Sequence, residues 1–170
     1  MQSYNGRVFN TAGDSVLVEF NSAVSAVECA AAFQKQLQKR NKSLEIPHVM
    51  EFRVGINMGD VVIEGDNLYG DGVNIAARLE ALAQPNGISI SKSVYDLVNK
   101  KTSLKFNDQG IQEVKLNKFH VYDIILENTK KRELKNKNYK NIKNIKFYIA
   151  TFCISLFFAC VVFLNFNQQE

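Results

Sequence analysis

The chain has 170 residues, 46% hydrophobic and 22% charged, which is enough apolar material for a packed domain and excludes disorder throughout. Its net charge is +4, but residues 127–146 alone hold eight Lys or Arg against two acids, a local +6 that leaves −2 for the rest. The mildly acidic remainder excludes a basic nucleic-acid-binding face there, and three cysteines make no disulfide framework. Cys29, Cys153 and Cys160 read as small buried hydrophobes in a reducing compartment. The amino terminus reads as lacking a signal peptide.

In chain order, residues 7–20 read as a hairpin around Ala12, Gly13 and Asp14, with Val16, Val18 and Phe20 alternating on one face. Ser22 is placed to cap a helix running to about Arg40, with Ala26, Ala30, Phe33 and Leu37 at helical spacing. Phe52, Val54, Ile56 and Met58 alternate as a strand, and Gly59-Asp60 is expected to turn it back into residues 61–63 as a second hairpin. Asp71 or Gly72 opens a helix to about Ala83, ended by Pro85-Asn86-Gly87. A short strand over 88–90 leads to a helix capped by Ser91 and lasting through Val98. Strands at 104–106, 111–114 and 121–126 complete an α+β pattern, hairpins interleaved with crossover helices, which predicts an antiparallel-rich sheet with covering helices.

Residues 147–164 (FYIATFCISLFFACVVFL) carry no charge. As a helix they would span about 27 Å, close to the hydrocarbon core of a bilayer. Basic residues precede the run and Glu170 alone follows it among charged residues, so the positive-inside rule places the N-terminal domain in the cytoplasm. The expected organisation is a domain over 1–126, a basic juxtamembrane linker over 127–146 facing anionic lipid, a transmembrane helix over 147–164 and a short tail over 165–170.

The stretch from Gly65 to Leu79, GDNLYGDGVNIAARL, is the densest in chemistry. Glycines flank Asp71 before a helix, where backbone approaches closely and anions are favoured. Asn74 and Arg78, four apart, share a helix face beside the apolar stripe of Ile75, Leu79 and Leu82. An amide beside a guanidinium suits a sugar and a phosphate, or else is a surface polar pair. Asp14 is either turn chemistry or one carboxylate of a cation site. Lys115 and Lys118 read by themselves as solvated charges. His48 and His120 lack zinc-ligand spacing, and there is no Walker loop or nucleophile elbow.

In combination, GRVFNTAGDSVLVEF, FRVGINMGDVVIEGDNLYGDGVNIAARLEALAQPNGISIS and FNDQGIQEVK…VYDI resemble class III adenylate/guanylate cyclase catalytic domains over about residues 5–126, closest to bacterial members with a membrane helix after the cyclase domain. The resemblance implies a ferredoxin-like cyclase fold working as a homodimer or heterodimer with sites shared across the interface. It implies cyclisation of ATP to 3′,5′-cyclic AMP and pyrophosphate, with two Mg²⁺ or Mn²⁺ ions as cofactors. Asp14 matches a metal-binding aspartate, Asn74 the ribose-orienting asparagine and Arg78 the arginine at the α-phosphate. Lys115, or as second choice Lys118, matches the lysine for the terminal phosphates.

The sequence departs from the family pattern in three places. No D-x-x-G-[FY]-[ST] segment with the other metal aspartate precedes the first hairpin, so the chain is expected to be truncated at its N-terminus. The base-reading lysine is Asn10, and its partner aspartate is Asn67. Amides both donate and accept, so a purine can still be read, with GTP as the alternative substrate. The alternatives to an active cyclase are a catalytically silent cyclase-like partner and a truncated gene product.

Overall fold

The computed structural model describes residues 2–12, 14–43, 49–65, 67–114, 117–127 and 132, with the backbone alone at positions 2, 10–12 and 114. The chain divides into one unit of Met1–Arg132 and a second of Glu133–Glu170, and every described residue belongs to the first. The expected span at 147–164 lies outside the described residues. Among the described residues no helix is long and apolar enough to cross a membrane.

A 3-10 turn at Gln2–Tyr4 leads into β1 (Gly6–Ala12) and β2 (Ser15–Phe20). The two form the expected antiparallel hairpin, and the pairing of Ala12 with Ser15 leaves Asp14 in the connecting turn. The helix α1 (Ala23–Ser43) starts where Ser22 predicts, the Ser25 N–H donating to the Ser22 hydroxyl at 3.4 Å. It runs beyond Arg40, and Arg40 and Lys42 complement the helix dipole in its last turn. Cys29 is buried and unbonded, as expected of a small apolar side chain.

The expected second hairpin forms with different partners. The strand β3 (Val54–Ile56) does not fold back onto β4 (Val62–Glu64); β4 pairs instead with a strand missed in the sequence, β5 (Asn67–Tyr69). The turn falls after Glu64, where Gly65 takes φ +61° without steric cost. Gly59 serves a different purpose, because a Cβ placed on it would lie 3.1 Å from Gly72 Cα. Met58 falls outside β3 and is 53% exposed, so the apolar alternation ends one residue pair early.

The remaining elements are α2 (Asp71–Leu82), β6 (Ile88–Ser91), α3 (Lys92–Val98), β7 (Lys105–Val114) and β8 (Asn117–Ile125). Ser91 stands at the N-cap of α3 as predicted, but its hydroxyl pairs with that of Ser93 rather than with a backbone amide. The two short strands expected at 104–106 and 111–114 are one strand, β7. A register shift between Asp108 and Ile111, with Gly110 at φ +64°, absorbs the polar residues that look like a break.

Strands β3, β6, β8 and β7 form a four-stranded sheet in that order, with β3–β6 parallel and the other pairs antiparallel. This is the expected α+β, antiparallel-rich architecture. Because side chains alternate along a strand, the sheet presents two distinct faces. On one, Ile88, Ile90, Tyr122 and Ile124 form the main core with Val27 of α1 and Val94 and Val98 of α3. On the other, Ser89, Val121 and Asp123 lie beneath α2, which packs on β3 and β6. Gln34 of α1 is fully buried, its amide donating to the Phe52 and Gly87 carbonyls at 2.9 and 3.3 Å. It fastens α1 to the backbone entering β3 and β6.

Candidate active site on helix α2

Three features of the backbone hold α2 against the sheet. Gly70 precedes the helix at φ 140°, a conformation open to glycine, and its carbonyl accepts the N–H groups of Val73 and Asn74 at 3.2 and 3.3 Å. Gly72, in the first turn, meets Gly59 in the loop after β3, and the Asn57 amide donates to the Gly72 carbonyl at 3.2 Å. Further along, Gly55 lies directly under the helix; a Cβ there would stand 2.1 Å from the Ala76 carbonyl oxygen. The glycines that look like a phosphate-approach signal in sequence are thus also a packing device.

On this helix Asn74 is exposed, and Arg78, one turn on, is half-buried. The Arg78 guanidinium lies over the ring of Phe119 on β8, 5.9 Å from its centroid, near the outer limit for a cation–π contact. Arg78 therefore stands at the edge of the helix layer, with its donors not taken up by an ion pair to Asp or Glu among the described residues. Phe119 was not singled out in the sequence; its alternation with Val121 on β8 was the available signal.

The other predicted residues are distributed around this helix. Asn67 is half-buried on β5, and β5 touches β1, the strand that carries Asn10. The Asn10 side chain and the whole of Lys115 lie outside the described residues. Lys118 is exposed on β8 and, next to Phe119, projects from the opposite face of the strand. Asp14 is exposed in the β1–β2 turn. No group of three or more His, Cys, Asp or Glu that could hold a metal ion occurs among the described residues. A lone exposed carboxylate does not meet the needs of a hard divalent cation, so the described residues do not by themselves fit a two-ion site.

A domain with this sheet, its crossover helices and an amide–guanidinium pair on α2 falls into a recognisable class. Residues 2–128 match the family described as "Adenylate and Guanylate cyclase catalytic domain", and the chain belongs to that family of class III cyclase domains. It is 50% identical over 112 residues to "Putative adenylate cyclase 3" of Rhizobium meliloti, a match covering 66% of this chain and 19% of that protein. The chain thus spans about a fifth of that relative's length. Among solved structures, an adenylate/guanylate cyclase/hydrolase from Silicibacter pomeroyi is 34% identical with a TM-score of 0.69, covering 74% of this chain and 76% of the other. The adenylyl cyclase CyaB from P. aeruginosa is 25% identical with a TM-score of 0.59, covering 78% and 77%.

Proposed function

We propose that the chain acts on ATP, forming 3′,5′-cyclic AMP and pyrophosphate in a site completed by a second, intact cyclase domain, the heterodimer being the active pairing. The observation that carries this is the placement of Asn74 and Arg78 one turn apart on a helix fixed to the sheet, with Arg78 at its edge over Phe119. Asn74 offers both a donor and an acceptor to hold the ribose. Arg78 cannot give up its proton, so it serves as a fixed positive charge facing the α-phosphate as negative charge builds there. In the reaction the ribose 3′-oxygen bonds to the α-phosphorus, the bond to the β-phosphate oxygen breaks, and the hydroxyl proton is released. Asn10 and Asn67 are proposed to face the base and Lys115 the terminal phosphates. ATP is favoured over GTP because relatives carry adenylate cyclase names.

Divalent ions in this family of reactions neutralise phosphate charge and activate the hydroxyl. Among the described residues Asp14 has no cluster of further ion-ligating side chains beside it, and the proposal draws such carboxylates from an intact partner domain. The same observation favours a second reading, a silent partner that lends Asn74 and Arg78 and holds no ions of its own. Residues 147–164 are proposed to tether the domain to the cytoplasmic face of a membrane, with the basic residues before them on anionic lipid.

The test mixes the full chain with an intact class III cyclase domain that keeps its metal carboxylates but lacks its own asparagine and arginine, and follows cyclic AMP and cyclic GMP with Mn²⁺. The chain alone is expected at background. The mixture is expected to convert ATP, and Arg78→Ala to lower that rate by about 100-fold, the loss typical of an electrostatic stabiliser. Equal activity of the Arg78→Ala mixture overturns the assignment.

A further inference from the structure

A polar network lies at the opposite end of α2 from its glycine-bound start. It is centred on Arg132, four positions past the family-matched stretch that ends at residue 128. Its guanidinium donates to three elements at once: to the Leu82 carbonyl at 2.6 Å, to Gln109 Oε1 at 3.1 Å and to Asp123 Oδ1 at 3.1 Å. Its own carbonyl accepts from the Asn107 amide at 3.1 Å. Asp123 is held in turn by the Ser89 hydroxyl at 2.7 Å.

These are not the contacts of a solvated basic linker. The Arg132 and Asp123 side chains are only 24% and 17% exposed, and Gln109 is 2% exposed. Leu82 is the last residue of α2, so its carbonyl has no partner within the helix, and a cation there also meets the negative end of the helix dipole. Gln109 and Asn107 belong to β7 and Asp123 to β8. One side chain thus ties the end of α2 to two strands. Arg78 sits one helical turn before Leu82, so any slack at that carbonyl reaches the guanidinium over Phe119.

We propose that Arg132 is a positioning residue that clamps the C-terminal end of α2 to β7 and β8. Through it, the basic chain that follows is coupled to the helix carrying Asn74 and Arg78. The coupling to activity rests on the cyclase reading above; the clamp does not.

Two readouts on the full chain separate these parts. In hydrogen exchange, Arg132→Met is expected to speed exchange in the last turn of α2 by about ten-fold, the loss of a charge-assisted hydrogen bond, with α3 unchanged. Because that variant strands the Asp123 carboxylate, Arg132→Met combined with Asp123→Asn removes both charges and is expected to fold with the same loose helix end. In the mixture with the partner domain, Arg132→Met is expected to lower kcat about ten-fold with KM for ATP unchanged. Arg132→Lys, which keeps the charge but not the fork, is expected to recover part of the loss. Unaltered α2 exchange in both the single and double variants overturns the clamp. Faster exchange with undiminished kcat overturns the positioning role. If Arg78→Ala has no effect in that mixture, the cyclase reading fails by itself, and the exchange measurement still decides the clamp.

Discussion

Asp123 shows how a single carboxyl can be held in place yet remain costly to ionise. Burial raises its pKa, while the Ser89 hydroxyl and the Arg132 guanidinium pull it down, and burial prevails. The folded chain therefore binds this proton more tightly than the unfolded chain. Stability from this group is greatest below the ordinary carboxylate pKa and declines as pH rises from about 4 through the raised value. Asp123→Asn keeps an oxygen for Ser89 and Arg132 but removes the titration. Urea midpoints of the variant are expected to lack that decline, and parallel curves for the two proteins would sink the argument. Asp108 behaves in the opposite sense. Burial alone would raise its pKa, but the Gly110 amide, the His120 ring and the Tyr122 hydroxyl hold it below the ordinary value, so its contribution is lost as pH falls. Substitution at Asp123 alone separates the two.

Among the elements, α2 and β3 are the pair on which the site depends. A methyl at position 55 would meet the Ala76 carbonyl oxygen at 2.1 Å and the Glu80 nitrogen at 2.2 Å, both backbone atoms that cannot swing aside. Gly55→Ala is therefore expected to cost about 3 kcal/mol or more in urea unfolding, at the upper end for overpacking, and to displace Arg78 with the helix. A loss below about 0.5 kcal/mol, the range of a neutral surface change, would show the approach to be looser. This contact also marks the limit of what the sequence disclosed. Helices α1, α2 and α3 were legible from caps and 3.6-residue spacing, and the Asn74–Arg78 pair from the same spacing. The pairing of β3 with β6, 34 residues apart in register, was not. Nothing local distinguishes a glycine that turns a hairpin from one that admits a helix backbone, and so Gly59 was misread and Gly65 overlooked. Arg132 was hidden for a related reason. Among eight cations in one segment, charge pattern alone does not single out the one whose fork meets Leu82, Gln109 and Asp123.

At the scale of the whole chain, a mildly acidic domain is followed by a strongly basic segment and then by an apolar run, and the physics of the two attachments differs. Residues 127–146 can draw the protein to anionic lipid, but such attraction acts over a Debye length and is weakened by salt. Residues 147–164, as a span, bury 18 uncharged side chains in hydrocarbon, all but Thr151 and Ser155 apolar, a term indifferent to salt and to pH. The tether proposal therefore makes a definite demand of membranes carrying the full chain. Washing with 1 M salt and then with alkaline carbonate is expected to leave the protein in the membrane pellet, and only detergent to release it. A variant with Lys130, Lys131, Lys135 and Lys137 changed to Gln, sparing Arg132, is expected to remain there too. Release by salt alone would reduce the tether to surface electrostatics. It would also take away the fixed point against which a pull on the chain beyond Arg132 reaches α2, leaving the clamp as a structural bond with nothing to transmit.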